Sequence, residues 1–83
     1  MGRYYLYVLE SLTKSKKYIG ITSDLKRRLA RHNRGEVRST KAYRPWRLAH
    51  SEQFATKKEA RRREMELKRN GRLRRELFEK IGA

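Results

Sequence analysis

The feature that most limits how this chain can fold is its positive charge. Its 83 residues include 24 lysines and arginines and only 9 acidic residues, so the net charge is +15. Charged residues make up 40% of the chain and hydrophobic residues 36%. So few apolar side chains can form only one small core. We therefore expect a single small domain over residues 1–83.

Composition also excludes several classes of protein. The chain has no cysteine, which removes disulfides, cysteine-ligated zinc and thiol nucleophiles. No apolar run approaches the roughly 18 residues that a membrane span needs. The first apolar segment, 4–9, is short and rich in tyrosine, which is not typical of a signal peptide. We therefore expect no membrane association and a cytoplasmic protein, with association with the nucleoid as a variant of that expectation.

The charge indicates a polyanionic partner, and nucleic acid is the commonest one. A disordered basic tail fits poorly, because tyrosines, branched residues and a tryptophan recur in periodic patterns between the charges. A basic ribosome- or RNA-associated protein would also explain the charge. Charge by itself does not indicate an enzyme. The densest basic runs are 26–28, 57–58, 61–63 and 72–75.

The N-terminal segment predicts a β-hairpin. Residues 3–10 and 16–21 are rich in tyrosine and branched side chains, and the polar stretch 11–15 separates them. A turn centred between positions 12 and 13 would pair residues whose numbers sum to 25. Tyr7 would then lie directly opposite Tyr18, on the same face of the sheet.

A helix is expected directly after the hairpin. The pair Thr22–Ser23 offers N-cap hydroxyls, and Asp24 places negative charge in the first turn. Leu25 and Leu29 lie four residues apart, on one helical face. The helix should end near Asn33.

The second half of the chain predicts a loop, a strand and two helices. Residues 34–44 are polar and show no period, whereas apolar and polar residues alternate over 46–54, as in a strand. Thr56 and Glu59 form a capping box at the start of a helix that runs to about Asn70. A final short helix is indicated by apolar residues at spacing four, namely Leu73, Leu77 and Ile81.

The predicted fold is therefore α+β, in the order ββαβαα. We expect a three-stranded, mostly antiparallel sheet flanked by helices.

Three ionisable residues fall beside positions that should be apolar. Arg28 and His32 flank the leucine stripe of the first helix, and Glu64 shares a helical face with Ala60 and Leu67. A carboxylate in that position needs an arginine, a metal or a hydrogen-bond network as partner. Simpler interpretations remain open: Glu64 could pair with a lysine four residues later, and His32 could cap its helix. The tyrosines could be ordinary sheet aromatics.

The motifs of the chain resemble those of the GIY-YIG endonuclease family. The second motif is intact as Tyr-Ile-Gly at 18–20, whereas Tyr-Leu-Tyr at 5–7 stands in place of Gly-Ile-Tyr. Arg28 follows eight residues after Gly20, His32 follows four residues later, and Glu64 lies downstream. The likeness covers nearly the whole chain and is greatest to small single-domain members, similar to the catalytic module of the excision-repair incision enzyme.

This resemblance implies a role for each matching residue. Tyr7 and Tyr18 would flank the water and the scissile phosphate, one of them acting as or positioning the general base. Arg28 would contact the phosphate, and His32 would accept a proton or hydrogen-bond a tyrosine. Glu64 would hold one divalent cation, Mg²⁺ or Mn²⁺. Gly20 would have a structural role, keeping the strand end open.

The implied activity is metal-dependent hydrolysis of DNA phosphodiester bonds with low sequence specificity, in repair or recombination. The DNA could be branched or damaged, and we expect a monomer. The alternative is a non-catalytic basic domain that binds nucleic acid on the same scaffold. Phosphate contacts are expected from a set of exposed basic side chains: Arg27, Arg31, Arg38, Lys41, Arg44, Arg61 and Arg62. Trp46 is expected in the core rather than stacked on a base.

Overall fold

The structure is a computed structural model that describes residues 2–82. These residues form a three-stranded antiparallel sheet and three α-helices in the order ββαβαα, which confirms the predicted fold class. A 3-10 turn (Lys41–Tyr43) precedes the third strand. The elements are β1 (Tyr4–Ser11), β2 (Lys17–Thr22), α1 (Leu25–Asn33), β3 (Trp46–Phe54), α2 (Lys57–Arg69) and α3 (Gly71–Gly82).

The predicted register of the hairpin is wrong by two residues. Tyr7 lies opposite Gly20, and Tyr18 lies opposite Leu9, so paired numbers sum to 27 rather than 25. The hydroxyl oxygen of Ser11 accepts hydrogen bonds from the backbone N–H groups of residues 13 and 14, which moves the centre of the turn along the chain. Because the shift is an even number, Tyr7 and Tyr18 still lie on the same face of the sheet.

The third strand lies at Trp46–Phe54 as predicted, but a bulge interrupts its predicted alternation. Val8 pairs with His50, but Leu9 pairs with Leu48, which leaves Ala49 as an extra residue. In a regular strand, residues an even number apart point to the same face of the sheet. The extra residue reverses this relation between the two sides of the bulge. This lets Trp46 at one end of β3 pack on the opposite face from the residues at its other end.

The central strand β1 supplies both cores of the domain. One face packs on α2 and α3 through a cluster formed by Leu6, Val8, Ile19, Leu67 and Leu77. The other face packs on α1 through Tyr7, Leu9 and Trp46. Trp46 is only 3% exposed, and its expected place in the core is confirmed.

Local capping explains where the helices begin. The capping box of Thr56 and Glu59 starts α2 as predicted. For α1 the predicted cap is wrong: Asp24 itself is the N-cap and accepts a hydrogen bond from the Arg27 N–H. The Thr22 hydroxyl instead accepts from the Asp24 N–H.

A single asparagine separates the last two helices. The Asn70 side-chain oxygen accepts hydrogen bonds from the backbone N–H groups of Arg72 and Leu73, at 3.1 Å each. These contacts cap the start of α3 immediately after α2 ends. In the described part of the chain, no helix has the length and apolar character that crossing a membrane requires.

Candidate active site

The centre of the candidate site is the phenol of Tyr7, in the middle of β1. Tyr7 is 1% exposed. Its hydroxyl oxygen lies 2.9 Å from Nε2 of His32 and 3.3 Å from Nε of Arg28, which donates to it. Two side chains of α1 and one of the sheet are thus joined in one hydrogen-bonded group.

The environment of Tyr7 favours its neutral form. Burial raises the pKa of the Tyr7 phenol, and this effect outweighs the hydrogen bond from Arg28, which acts in the opposite direction. The same hydrogen bond raises the pKa of Arg28 above its already high value. The site therefore holds a neutral phenol against a permanent guanidinium cation.

His32 is fully buried beneath the two tyrosines. Burial lowers the pKa of His32 to about 4, and the positive charges of Arg28 and Arg31 act in the same direction. Its Nδ1 lies 2.7 Å from the Thr40 hydroxyl oxygen. A neutral imidazole bonded through both nitrogens does not act as a charged cap of its helix, so that simpler interpretation is wrong.

Tyr18 completes the aromatic part of the site from β2. Its ring centroid is 6.2 Å from that of Tyr7 and 5.0 Å from that of His32. Tyr18 also raises the pKa of the Arg28 guanidinium, but less strongly than Tyr7 does. Within residues 2–82 no hydrogen bond of good geometry engages the Tyr18 hydroxyl. Tyr18 is half-buried, so it has more contact with solvent than Tyr7.

Glu64 approaches the site from α2, on the other side of the sheet. It lies between the fully buried Ala60 and Leu67 along one helical face, and its side chain is 19% exposed. Its carboxylate forms an ion pair with the Lys68 ammonium at 3.1 Å. Glu64 is also close enough to contribute, as a minor cause, to the raised pKa of Tyr7. The carboxylate therefore has its lysine partner and still acts on the phenol.

The acidic side chains near the site decide whether a divalent cation could bind there. Nowhere in residues 2–82 do three or more histidine, cysteine or acidic side chains converge as a preformed metal cage. A hard cation such as Mg²⁺ usually keeps several waters and binds through one or two carboxylates. Glu64, a largely sheltered carboxylate that acts on the Tyr7 phenol, fits that mode of binding.

The basic residues expected to contact phosphates lie in different surroundings. Arg27 and Arg31 line a cleft of about 220 Å³ at the start of α1, together with Arg28. Arg31 also pairs with Glu36 at 3.3 Å. Arg38 and Lys41 are exposed on the loop before β3.

The other three residues of that set are Arg44, which precedes β3, and Arg61 and Arg62 on α2. Arg44 donates to the Lys41 carbonyl oxygen. On α2, Arg61 is three residues before Glu64 and shares its side of the helix. Arg62 is rotated roughly 160° from Glu64, toward the outer surface of α2.

Two residues with clear structural roles were not identified from the sequence. The Thr40 hydroxyl holds His32, and the Asn33 side chain bonds both the N–H and the carbonyl oxygen of Trp46. Thr40 lies in a segment without periodicity, so no sequence signal pointed to it. Asn33 gave a signal only as a helix terminator.

A family model described as the GIY-YIG catalytic domain matches residues 3–76, which is most of the chain. The chain belongs to the GIY-YIG family. The resemblance inferred from the Tyr-Ile-Gly motif and its downstream residues is thereby confirmed. GIY-YIG domains are nuclease domains and generally use a divalent metal ion.

Relatives of this GIY-YIG chain occur in bacteria and archaea. A UPF0213 protein of Streptococcus pneumoniae is 45% identical over 75 residues, which cover 89% of this chain and 75% of the relative. The UPF0213 protein VNG_2274C of Halobacterium salinarum is 38% identical over 76 residues, covering 90% of this chain and 97% of the relative. The match to nearly the full length of the second protein shows that the GIY-YIG domain can make up most of such a chain.

A solved structure has the same fold. The solution NMR structure of the UPF0213 protein BH0048 from Bacillus halodurans superposes with a TM-score of 0.57 at 32% sequence identity. The match covers 95% of this chain and 84% of the BH0048 chain. The two GIY-YIG domains therefore share one architecture over nearly their whole length.

Proposed function

We propose that this GIY-YIG domain is an endonuclease that hydrolyses DNA phosphodiester bonds with the help of one divalent cation. The observation that carries the proposal is the hydrogen-bonded group of Arg28, Tyr7 and His32, against which the Tyr18 ring packs. Bringing a partly buried guanidinium, one buried and one half-buried phenol and a buried imidazole together has a cost in desolvation that packing alone does not require. Phosphodiester hydrolysis needs such groups, because a water must be activated and charge on the phosphoryl group must be offset.

The two tyrosines take different roles in this proposal. The Tyr7 hydroxyl is held by His32 and Arg28, and burial keeps it neutral. Tyr18 is half-buried, and no hydrogen bond of good geometry engages its hydroxyl in the described residues, so this hydroxyl is available to contact the attacking water. We therefore assign Tyr18, as the phenolate, to orienting the water and accepting its proton, and Tyr7 to positioning Arg28.

Arg28 is the group that contacts the scissile phosphate. It keeps its charge at every accessible pH, because its hydrogen bond to Tyr7 raises an already high pKa. A guanidinium fixed in this way offers donors to the phosphoryl oxygens as negative charge develops on them. The water oxygen bonds to phosphorus as its proton passes to the Tyr18 oxygen. The ester oxygen leaves with the electron pair of the broken bond and takes up a proton from solvent.

Glu64 is the residue that would hold the cation, either Mg²⁺ or Mn²⁺. The bound ion would supply electrostatic stabilisation of the phosphoryl group and the leaving oxygen. Lys68 now neutralises the Glu64 carboxylate at 3.1 Å. Because both Lys68 and a cation would compete for the same oxygens, weakening the ion pair should favour metal binding.

We propose that DNA lies across the β2 edge of the sheet, where it can reach Arg28 on one face and Glu64 on the other. The cleft that contains Arg27 and Arg31 adjoins Arg28, and Arg61 shares the Glu64 side of α2. Phosphate contacts of this kind hold DNA without reading its bases, which supports low sequence specificity. Arg38, Lys41 and Arg44 would extend the contact along the loop before β3.

Several finer expectations from the sequence remain proposals. They are a preference for branched or damaged DNA, a role in repair or recombination, a monomeric state and a location in the cytoplasm or on the nucleoid. The net charge of +15 supports the DNA partner.

The test is a nicking assay on supercoiled plasmid, branched DNA and single-stranded DNA, with Mg²⁺, with Mn²⁺ and with a chelator. We expect metal-dependent cleavage by the natural chain and a loss of roughly 100-fold or more in Glu64→Ala. DNA affinity of that variant, measured by gel shift, should be nearly unchanged. Glu66→Ala is the matched control, because Glu66 is two residues away on α2, 51% exposed and paired with Arg63.

Two results would contradict the proposal. A natural chain that binds DNA but cleaves none of the three substrates with either metal would indicate the non-catalytic binding domain. Cleavage that persists in Glu64→Ala would exclude Glu64 as the essential metal ligand.

The binding surface has its own matched pair of variants. Arg61→Ala should weaken DNA binding and reduce the slope of log affinity against log salt by about 1. Arg62→Ala, which removes the same charge from the outer side of α2, should change both quantities less. Equal effects would place DNA elsewhere on the domain.

A further inference from the structure

One buried hydroxyl in the loop between α1 and β3 lies outside the family motifs. Thr40 is 1% exposed, although Arg38, Ser39 and Lys41 around it are exposed. Its hydroxyl oxygen lies 2.7 Å from His32 Nδ1 and 3.2 Å from the Val37 carbonyl oxygen. Its backbone carbonyl oxygen separately accepts from Trp46 Nε1 at 2.9 Å. The backbone of Thr40 is thus held by the core, and its side chain is directed to the candidate site.

The hydrogen bonds of this group can be assigned by counting donors and acceptors. The Val37 carbonyl oxygen can only accept, so the Thr40 hydroxyl donates to it. The Thr40 oxygen then accepts from His32 Nδ1–H, and His32 Nε2 is left as an acceptor. The Tyr7 hydroxyl can donate to that nitrogen, and Arg28 donates to the Tyr7 oxygen. In this direction every hydrogen in the chain of contacts has an acceptor.

The opposite direction leaves a buried donor without a partner. If the Thr40 hydroxyl donated to Nδ1, Nε2–H would have to donate to the Tyr7 oxygen. The Tyr7 O–H would then have no acceptor among residues 2–82, although the residue is 1% exposed. An unpaired buried hydroxyl costs about 1–3 kcal/mol, so the first direction is favoured.

We propose that Thr40 is a positioning residue that holds His32 in the Nδ1–H tautomer, so that Nε2 accepts a hydrogen bond from the Tyr7 hydroxyl. This fixes the direction of the Tyr7 O–H and leaves the Tyr7 oxygen free to accept from Arg28. The guanidinium that would meet the phosphate is then oriented through three consecutive side chains from a loop residue. The effect on cleavage rests on the proposed function, but the tautomer does not.

The test compares two substitutions at Thr40 that differ in the hydroxyl. Thr40→Val keeps the shape and the backbone contact with Trp46 but removes the hydroxyl. Thr40→Ser keeps the hydroxyl and removes only a methyl group. The readout is the ¹⁵N spectrum of the His32 imidazole in the full chain without DNA, which separates a protonated ring nitrogen from an unprotonated one.

We expect the natural chain and Thr40→Ser to show a protonated Nδ1 and an unprotonated Nε2. In Thr40→Val, Nδ1–H loses its acceptor, so the Nδ1–H tautomer loses stability and the population of the Nε2–H tautomer should rise. Cleavage should fall roughly 10- to 100-fold in Thr40→Val, the range seen when the hydrogen-bond partner behind a metal-bound histidine is lost. Thr40→Ser should keep most of the cleavage activity.

Two results would overturn the proposal. One is a natural chain in which Nε2 carries the proton, and this measurement requires no variant to fold. The other is a folded Thr40→Val in which the population of the Nε2–H tautomer does not rise. A chain that does not cleave DNA at all would refute the proposed function, while the imidazole spectrum would still decide the role of Thr40.

Discussion

The ring of Tyr7 lies directly over Gly20, its partner in the antiparallel pair of β1 and β2. A Cβ atom on Gly20 would be 2.6 Å from the Tyr7 hydroxyl oxygen and 2.7 Å from Cζ. Any side chain at position 20 would therefore displace the phenol from His32 and Arg28. The family glycine makes room for the tyrosine of the neighbouring strand, whereas the sequence suggested only an open strand end.

Replacing this glycine should harm both stability and activity. We expect Gly20→Ala to lower the free energy of unfolding by about 1–3 kcal/mol, because one methyl group is forced into a packed site. Cleavage should fall with it, since the Tyr7 hydroxyl must move. Gly71→Ala is the control, because a Cβ there meets only one Arg74 nitrogen at 3.6 Å. Urea denaturation and the nicking assay measure the two effects, and equal behaviour of both variants would contradict the prediction.

Removing the hydroxyl group should affect stability differently at the two tyrosines. Tyr7→Phe leaves buried His32 Nε2 without its donor and should cost about 1–3 kcal/mol of unfolding free energy. Tyr18→Phe should change stability less, because no hydrogen bond of good geometry engages its hydroxyl within residues 2–82. Both variants should cleave at least roughly 100-fold more slowly in single-turnover assays. If Tyr18→Phe retained full activity, Tyr18 could not be the general base.

The free energy of unfolding should decrease as the pH is lowered through a range set by the pKa of His32. Its pKa is about 4 in the folded chain and 6.5 as a free side chain. Between these values the unfolded chain binds more protons, so acidification favours unfolding. Between pH 7 and pH 4 the natural chain should lose roughly 2–3 kcal/mol more than His32→Asn, which cannot titrate there. Denaturation curves at several pH values measure this difference, and parallel losses would rule out a buried neutral histidine.

Asn33 should stabilise the junction between α1 and β3. Its side-chain oxygen accepts from the Trp46 N–H at 2.7 Å, and its amide donates to the Trp46 carbonyl oxygen at 3.0 Å. We expect Asn33→Ala to lower the free energy of unfolding by about 1–2 kcal/mol. Asn33→Asp retains the acceptor but places a carboxylate oxygen against the Trp46 carbonyl oxygen, so it should lose at least as much. Urea denaturation of the three chains measures the order of stability, and an unchanged Asn33→Ala would show that solvent replaces both bonds.

Much of the architecture was predictable because its signals are local. The capping box of Thr56 and Glu59 marked the start of α2, and the spacing of Leu73 and Leu77 marked α3. The register of the hairpin was not predictable in the same way. It depends on the Ser11 side chain accepting from two backbone N–H groups within the turn. A change in turn centre of one position is invisible to hydrophobic patterning, because it leaves the buried face the same.

The candidate site was likewise only partly predictable from the sequence. Tyr7, Tyr18 and His32 could be named from motif spacing, and the fold brings their rings together. The pattern could not show that Gly20 lies beneath Tyr7, because that contact follows from the register.

The sequence alone determined the order of the elements and the family, since helical and strand periods and short motifs reside in neighbouring residues. Only the tertiary structure decided the bulge at Ala49, the neutral state of His32 and its bond to Thr40. Each of these depends on burial or on a contact between elements. A loop residue such as Thr40 has no periodic pattern, so its partner becomes known only when the chain has folded.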